Sequence, residues 1–376
     1  MNSHIYRRIK CLIVYLSICF PFIYGLINTH QLTKKAINKS SFDWSCVGKK
    51  NNIVPIAVIG SGPAGLSAAM YGARAGIKSV VFEGYFPGGL LVKTSYVENW
   101  PGVPHVLGPK VMKRLRKQAC SFGVQCVADT IEEINFSDWP FVLCTAEGNI
   151  IHALSVIIST GANPRHLHVE GEEEYWGRGV SSCARCDAPL YKNKEVIVVG
   201  GGDSAIEEAL QLAPYAKKVT IVHRRNQLRA SPHMRDHIIS YKQIDVLYNS
   251  RIKRIKGNGD EITAVELIDS QTGEISSMLI DGVFLAVGHE PNTEIFKDYI
   301  STDEQGYIIL EGRSQVTNVP GVFAAGDVAD PYYRQAGSAA GDGIKAGIDA
   351  ILFLYEIGFT TQRAQEMAPN MFNAVL

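Results

Sequence analysis

The sequence predicts an α/β fold in which one strand–turn–helix–strand unit occurs twice. The first copy reads NIVPIAVIGSGPAGLSAAMYGARAGIKSVVFEG and the second reads NKEVIVVGGGDSAIEEALQLAPYAKKVTIVHRRNQLRAS. In each copy an apolar strand runs into a glycine-rich turn and a helix-forming stretch, and a second apolar strand follows. The spacing is also the same, since 23 residues separate Gly60 from Glu83 and 23 separate Gly200 from His223. We therefore predict two Rossmann-like dinucleotide-binding domains.

The composition is that of a globular chain without a charge bias. Of the 376 residues, 46% are hydrophobic and 20% are charged, which allows two or three domains with sizeable cores. Lys plus Arg and Asp plus Glu both number 37. Because there is no basic excess, nonspecific binding of nucleic acid or of an anionic membrane is not expected.

The first 50 residues have the composition of a targeting leader. Arg7, Arg8 and Lys10 precede an apolar run from Cys11 to Ile27, which is short for a membrane span and typical of a secretory signal. Residues 28–41 are polar and lack acidic side chains, as in a transit peptide. The two segments predict a bipartite leader, removed or disordered, that touches a membrane only transiently and leads to an apicoplast-like plastid with extra bounding membranes. A retained anchor, secretion with a propeptide, another organelle of the secretory route and the mitochondrion are the alternatives.

The first unit has the features that a dinucleotide needs. Its strand, Ile56 to Ile59, leads into a turn and helix start formed by Gly60, Gly62, Pro63, Ala64 and Gly65. Glycines make the tight turn and let the backbone approach a pyrophosphate, which then faces the helix N-terminus. The next strand, Ser79 to Phe82, ends at Glu83, whose carboxylate can accept hydrogen bonds from a free ribose 2′-hydroxyl. The first site is therefore expected to hold FAD or NAD.

The second unit repeats this pattern with the opposite charge. Its strand, Val196 to Val199, leads into Gly200, Gly202, Asp203, Ser204 and Ala205. In the place of Glu83 stands a basic cluster formed by His223, Arg224, Arg225 and, four residues further on, Arg229. Cations at this position suit a 2′-phosphate, whereas a solvated basic patch would not explain the shared spacing. The second site is therefore expected to hold NADPH.

Between the two units lies VSSCARCDAPLY, in which Cys183 and Cys186 are separated by two residues. The chain has eight cysteines but no second C-x-x-C pair. His233 and His237 have the H-x3-H spacing, but they do not follow Cys186 after the usual linker of about 12 to 15 residues, so no metal is expected. On spacing alone, two inert cysteines remain possible. A flavin, however, can take a hydride from a nicotinamide and reduce a disulfide on its other side. We therefore identify the first ligand as FAD and predict a relay from NADPH to FAD, to Cys183 and Cys186, and to an outside disulfide.

The other six cysteines receive structural interpretations. Cys11, Cys19 and Cys46 belong to the leader or to its edge. Cys120, Cys126 and Cys144 are expected to pack as small hydrophobic side chains.

With both glycine motifs, HRR-x3-R and C-x-x-C-D in this order, the sequence resembles the low-molecular-weight, NADPH-dependent thioredoxin reductases, a class of pyridine nucleotide-disulfide oxidoreductases. The match runs from about Ile53 to about Leu354. Further matching stretches are GGLLVKTSYVENWPG, STGANPR, VGHEPNT and VFAAGDVADPYYRQAGSAAGDG.

The resemblance implies a homodimeric flavoprotein enzyme that reduces oxidised thioredoxin. It implies an FAD domain in two parts, residues 51–164 and 287–376, and an inserted NADPH domain, residues 165–286, that swivels. Cys186 would lie against the flavin, Cys183 would face thioredoxin, and Asp187 would act as the acid and base of the dithiol. Further FAD contacts would come from Gly88, Gly89, Leu90, Thr94, Asn99, Asp327, Arg334, Gln335 and Ala336.

Two positions depart from the family pattern. Leu90 stands where the family has a glutamine near the flavin, and Ala188 stands where it has a glycine after C-x-x-C-D. Ala188 therefore requires a backbone without a positive φ. A related flavoprotein driven by ferredoxin is one alternative function, although the retained second glycine turn and HRR disfavour it. A redox sensor without turnover is another.

Overall fold

The computed structural model describes residues 42–94 and 96–373. Arg7, Arg8, Lys10 and the apolar run after them lie outside the described residues, so the leader and its plastid destination stay predictions. Within the described part of the chain, no helix is both long enough and apolar enough to cross a membrane.

The described chain forms the α/β architecture that the repeated unit predicts. Its strands are β1 (Ile53–Ile59), β2 (Ser79–Phe82), β3 (Tyr96–Val97), β4 (Val106–Leu107), β5 (Gln125–Val127), β6 (Ile131–Asn135), β7 (Phe141–Thr145), β8 (Ile150–Ile158), β9 (Ala162–Pro164), β10 (Val180–Ser181), β11 (Glu195–Gly200), β12 (Lys218–Val222), β13 (Ile244–Leu247), β14 (Ser250–Gly257), β15 (Ile262–Asp269), β16 (Ile275–Leu279), β17 (Gly282–Ala286), β18 (His289–Pro291) and β19 (Val322–Ala324). Its α-helices are α1 (Trp44–Val47), α2 (Pro63–Arg74), α3 (Gly108–Ser121), α4 (Ala184–Asp187), α5 (Asp203–Leu212), α6 (Pro232–Ile239), α7 (Ala336–Glu356) and α8 (Thr361–Met367).

The first domain is built on one seven-stranded sheet in the order β5-β2-β1-β8-β7-β6, with β19 paired to β8. The strands β5, β2, β1, β8 and β19 are parallel, and β7 and β6 extend the sheet antiparallel. Every residue of β1 is buried, as expected for a central strand covered on both faces.

Two helices of the first domain pack closely through glycine. A Cβ added to Gly343 of α7 would lie 2.0 Å from the Ala64 carbonyl oxygen of α2, and one added to Gly347 would lie 2.7 Å from the Ala68 carbonyl oxygen. Larger residues at these positions would push α7 away from α2. This packing fixes the position of the α2 N-terminus at the edge of the sheet.

The second domain has its own parallel sheet in the order β10-β17-β11-β12-β13, and a three-stranded antiparallel sheet of β14, β15 and β16. The register repeats that of the first domain, because Ile59 pairs with Phe82 and Val199 pairs with Val222. All of these strands come from the chain between β8 and β19 of the first sheet. The predicted fold class, with one dinucleotide-binding domain inserted into the other, is confirmed.

The chain passes between the two sheets along two neighbouring strands. Strand β9 pairs antiparallel with β18, with Pro164 opposite His289 and Ala162 opposite Pro291. The domain boundaries predicted after residues 164 and 286 fall at the ends of β9 and β17. Both chain crossings therefore lie side by side.

Residues 43–50, which the sequence analysis placed at the end of the leader, pack on the first domain in this structure. The Trp44 indole Nε1 donates a hydrogen bond to the Ile357 carbonyl oxygen at 2.8 Å. Its ring meets Trp139 edge to face at 5.2 Å, and the Arg363 guanidinium lies 4.4 Å from its centre. These contacts make the segment part of the folded unit.

Candidate active site

The first glycine turn leaves space where a phosphate group would lie. Gly60 has φ +106°, and a Cβ there would lie 2.4 Å from the Ser159 carbonyl oxygen. A Cβ at Gly65 would lie 2.0 Å from the Gly60 carbonyl oxygen, whereas one at Gly62 would meet no atom within 4 Å. Helix α2 begins at Pro63 without a side-chain cap, so its first free amides can receive an anion.

In the second turn, too, some glycines are closely packed and one faces open space. A Cβ at Gly200 would lie 2.6 Å from the Ala286 carbonyl oxygen, and one at Gly201 would lie 2.2 Å from His223 Nδ1. At Gly202 a Cβ would meet no atom within 4 Å, and helix α5 begins there without a side-chain cap. Both turns therefore fit a dinucleotide pyrophosphate at the helix N-terminus.

Each turn opens into its own cavity. The first has a volume of about 920 Å³ and the second about 730 Å³. The predicted residues that line the first cavity are Gly60, Gly62, Pro63, Ala64, Glu83, Gly89, Leu90, Thr94, Asn99, Asp327, Arg334, Gln335 and Ala336. Those that line the second are Gly200, Gly202, Ser204, His223, Arg224 and Arg229.

Five predicted contact residues do not line either cavity. Gly65 and Ala205 serve the close packing of their helices. The Gly88 amide donates to Ser61 Oγ at 2.9 Å, and Asp203 Oδ1 accepts from the Ser231 amide at 2.7 Å. Arg225, the fifth, lies outside the lining of the second cavity.

Glu83 is buried at the end of β2, and its carboxylate is held by a residue that the sequence analysis missed. Arg116 of α3 donates from Nε to one Glu83 oxygen at 2.8 Å and from its terminal nitrogen to the other at 3.0 Å. Each carboxylate oxygen keeps a further lone pair for a ribose hydroxyl. Arg116 therefore compensates the buried charge and fixes its orientation.

His223 does not act as a cation in the second cavity. Its ring is buried, and Nδ1 donates a hydrogen bond to the Gly200 carbonyl oxygen at 2.9 Å. Burial lowers the pKa of His223, so the ring is neutral near pH 7. Within the HRR-x3-R motif, the positive charge in the cavity wall comes from Arg224 and Arg229.

The second cavity contains two more arginines that the sequence analysis did not single out. Arg165 and Arg251 both line it. They lie far from the HRR motif in sequence, one just after β9 and the other in β14, so only the fold brings them together with it. The cavity wall therefore holds four guanidinium groups, which suits a ligand with several phosphate charges.

Cys183 and Cys186 form a disulfide, and both line the first cavity. The Gln335 side-chain amide lies 3.8 Å from Cys183 Sγ. Cys183 precedes the short helix α4, whose Ala184 amide donates to Glu208 Oε2 at 2.6 Å. Glu208 lies on α5 of the inserted domain, and burial raises the pKa of its carboxyl to about 7. The disulfide is thus held by the inserted domain and faces the cavity of the first domain.

Asp187 lies beside the disulfide but outside the cavity lining. Burial raises the pKa of its carboxyl, and a hydrogen bond from Ser181 partly offsets this effect. A carboxyl with a raised pKa holds a proton more readily, which suits the acid and base role that the resemblance implies.

Two further residues of the motif have contacts that bear on its chemistry. The Arg185 guanidinium lies 5.6 Å from the ring centre of Tyr332 in the first domain and 4.0 Å from Glu207. Ala188 has φ −51° and is therefore free of strain, as its side chain requires.

Among the residues that the structure describes, no group of three or more metal-binding side chains occurs.

Comparison with known proteins agrees with this geometry. Residues 54–343 match the pyridine nucleotide-disulphide oxidoreductase family. A thioredoxin reductase of Rickettsia prowazekii is 44% identical over 302 residues, which cover 80% of this chain and 97% of that protein.

Two solved structures extend the comparison. The thioredoxin reductase from Giardia duodenalis is 41% identical, with a TM-score of 0.77 over 81% of this chain and 99% of that one. Lactococcus lactis thioredoxin reductase, described as the FR conformation, is 38% identical, with a TM-score of 0.56 over 81% of this chain and 99% of that one. The resemblance seen in the motifs is confirmed, and the chain belongs to the pyridine nucleotide-disulphide oxidoreductase family and, within it, to the thioredoxin reductases.

Proposed function

We propose that this chain is an NADPH-dependent thioredoxin-disulfide reductase that uses FAD. The observation that carries the proposal is the position of the Cys183–Cys186 disulfide in the wall of the first dinucleotide cavity. A second cavity with Arg224 and Arg229 in its wall supports NADPH as the electron donor. These arginines disfavour a ferredoxin-driven enzyme, and the placement of the disulfide disfavours a sensor without turnover.

Cys183, Cys186 and Asp187 have separate roles in disulfide reduction. FAD, when bound in the first cavity, supplies a two-electron relay between NADPH and the disulfide. The Cys183–Cys186 bond takes up two electrons and two protons and becomes two thiols, one of which Asp187 can keep as a thiolate by taking its proton. Cys183 then attacks the thioredoxin disulfide, and Cys186 resolves the mixed disulfide and regenerates the bond.

A movement of the inserted domain is needed between these steps. In this structure the disulfide faces the first cavity, and the attacking sulfur of Cys183 is partly buried and lies 3.8 Å from the Gln335 side-chain amide. The paired strands β9 and β18 carry both chain crossings and can serve as the hinge. The two solved relatives have similar identity to this chain but TM-scores of 0.77 and 0.56, as expected when domains of one fold are arranged differently.

We also propose that the enzyme is a homodimer. On α7 the side chains of Ile348, Leu352 and Tyr355 lie on one face and are 41%, 41% and 52% exposed. A second copy of the chain would cover this apolar face.

Leu352→Glu should convert the dimer to monomers, because it places a charge in the apolar face. Sedimentation velocity measures the mass directly. Ile239→Glu is the control, because Ile239 is 80% exposed on the inserted domain and should leave the mass unchanged. A monomeric parent protein would contradict the proposal.

Arg224 and Arg229 of the second cavity should determine the choice of nicotinamide cofactor. We expect Arg224→Gln with Arg229→Gln to lower kcat/KM for NADPH by about tenfold or more and to spare NADH, since only NADPH carries the 2′-phosphate. Arg225→Gln is the matched control, because Arg225 does not line the cavity. An equal loss with NADPH and NADH would show that these arginines do not read the phosphate.

The two sulfurs should have separate roles in exchange with thioredoxin. Cys186→Ser keeps the attacking sulfur and loses the resolving one, so it should trap a covalent adduct with thioredoxin on a non-reducing gel. Cys183→Ser should trap little, and neither variant should turn over thioredoxin. In both variants NADPH should still bleach the flavin, because that step precedes the dithiol. An adduct with Cys183→Ser alone would show that the roles are reversed.

A further inference from the structure

A second pair of cysteines lies near Glu83, outside the lining of the first cavity. Cys120 is near the end of α3, Cys126 lies in β5, and their sulfur atoms are 3.8 Å apart. Both are free thiols and partly buried. From the sequence, both were expected to pack as small hydrophobic side chains.

These thiols share their surroundings with the predicted ribose-binding carboxylate. Cys126 pairs with Val81 of β2, two residues before Glu83. Arg116, which holds Glu83, lies one helical turn before Cys120 on α3. Burial, Cys120 and the Glu83 charge raise the pKa of Cys126 to about 12. Cys120 lies in the last turn of α3, whereas Cys126 is held by strand pairing in the sheet. Cys120 is therefore the sulfur that can move to meet an oxidant and attack first, and its raised pKa makes the Cys126 thiol the poorer nucleophile.

We propose that Cys120 and Cys126 are a second dithiol, which closes to an intramolecular disulfide by exchange with a small disulfide compound. Cys120 attacks the disulfide of the oxidant, which releases one thiol and leaves a mixed disulfide on Cys120. The Cys126 sulfur then attacks Cys120 Sγ, loses its proton to solvent and releases the second thiol. The pair gives up two electrons, and the oxidant is reduced to two thiols.

The geometry needs only a local adjustment. A disulfide bond is about 2.05 Å long, so the sulfurs must approach by roughly 1.8 Å. The connection between them is the end of α3, a turn at Gly123 with φ +97°, and the start of β5. Movement of this last helical turn can close the bond while the sheet stays in place.

A disulfide between Cys120 and Cys126 would join the helix that carries Arg116 to the sheet next to Glu83. The Arg116–Glu83 contacts are already formed with the sulfurs apart, so the bond would hold them in place. The formation of the disulfide does not depend on the proposed thioredoxin reductase activity. Its effect on the cavity does rest on the proposed binding of FAD there.

The test uses the intact FAD-bound protein and oxidised glutathione as the probe. After incubation, free thiols are alkylated, and the unreduced protein is digested and analysed by mass spectrometry. We expect the peptide that carries both Cys120 and Cys126 to lack alkyl groups and to have the mass of an internal disulfide, also in a Cys183→Ser, Cys186→Ser double variant that lacks the active-site pair. Full alkylation of both cysteines, or glutathione on both without a cross-link, would overturn the proposal.

Single variants separate the two steps and control for nonspecific oxidation. Cys126→Ser should stop at a glutathione adduct on Cys120, whereas Cys120→Ser should give neither an adduct nor a cross-link. Cys144→Ser is the control, because Cys144 is also a partly buried free thiol and its loss should leave the cross-link intact. An adduct on Cys126 in Cys120→Ser that equals the one on Cys120 in Cys126→Ser would contradict the order of attack.

Flavin release gives a readout that does not depend on activity. Heating should release FAD, measured by its fluorescence, more slowly from the glutathione-oxidised protein than from the reduced protein. Cys126→Ser should show no such difference. Equal release from both forms of the parent protein would overturn the coupling between the disulfide and the Glu83 end of the cavity.

Discussion

The close approach of backbone at the two glycine turns is the constraint on which both candidate sites depend. At Gly60 and Gly200 a side chain would lie 2.4 and 2.6 Å from a carbonyl oxygen of a neighbouring strand or loop, distances that no Cβ can adopt without moving the backbone. Because strand, turn and helix meet so closely, each helix N-terminus points at an open space next to Gly62 or Gly202. The same local geometry thus produces two phosphate sites, and the residue that ends the next strand distinguishes their ligands.

The proposed movement of the inserted domain requires that the disulfide and the first cavity belong to different domains. Few side chains bridge the two at this point, and they include Arg185 over Tyr332 and Gln335 beside Cys183. A cation–π contact at an exposed site contributes about 0.5 to 1 kcal/mol, so its loss is a small cost. The domain arrangement can therefore change without disrupting either core. Arg185, which lies between the two cysteines in the sequence, thus contacts the first domain in this arrangement.

Local sequence signals predicted the repeated unit well, because spacing and residue type encode it directly. The strand Ser79–Phe82 and the equal distance from each first glycine to the end of the second strand appear in the structure as expected. Contacts between distant residues were not predictable in this way. Arg116, which forms hydrogen bonds with Glu83, lies 33 residues later in the sequence on α3. No sequence motif indicates that contact.

Burial was the other property that the sequence did not reveal. His223 stands in a basic cluster, but its ring is buried and neutral, so Arg224 and Arg229 are the members of that cluster that bring charge to the cavity wall. The contact between the Cys120 and Cys126 sulfurs depends on how the end of α3 packs against β5, which no local sequence signal shows.

The electron path from NADPH through the flavin to thioredoxin is tested most directly by an anaerobic titration of the purified yellow protein with NADPH, followed by absorbance. Oxidised thioredoxin is then added. We expect the flavin absorbance to bleach on addition of NADPH and thiols then to appear on thioredoxin. A flavin that stays oxidised with NADPH, or bleaches without yielding thioredoxin thiols, would contradict it.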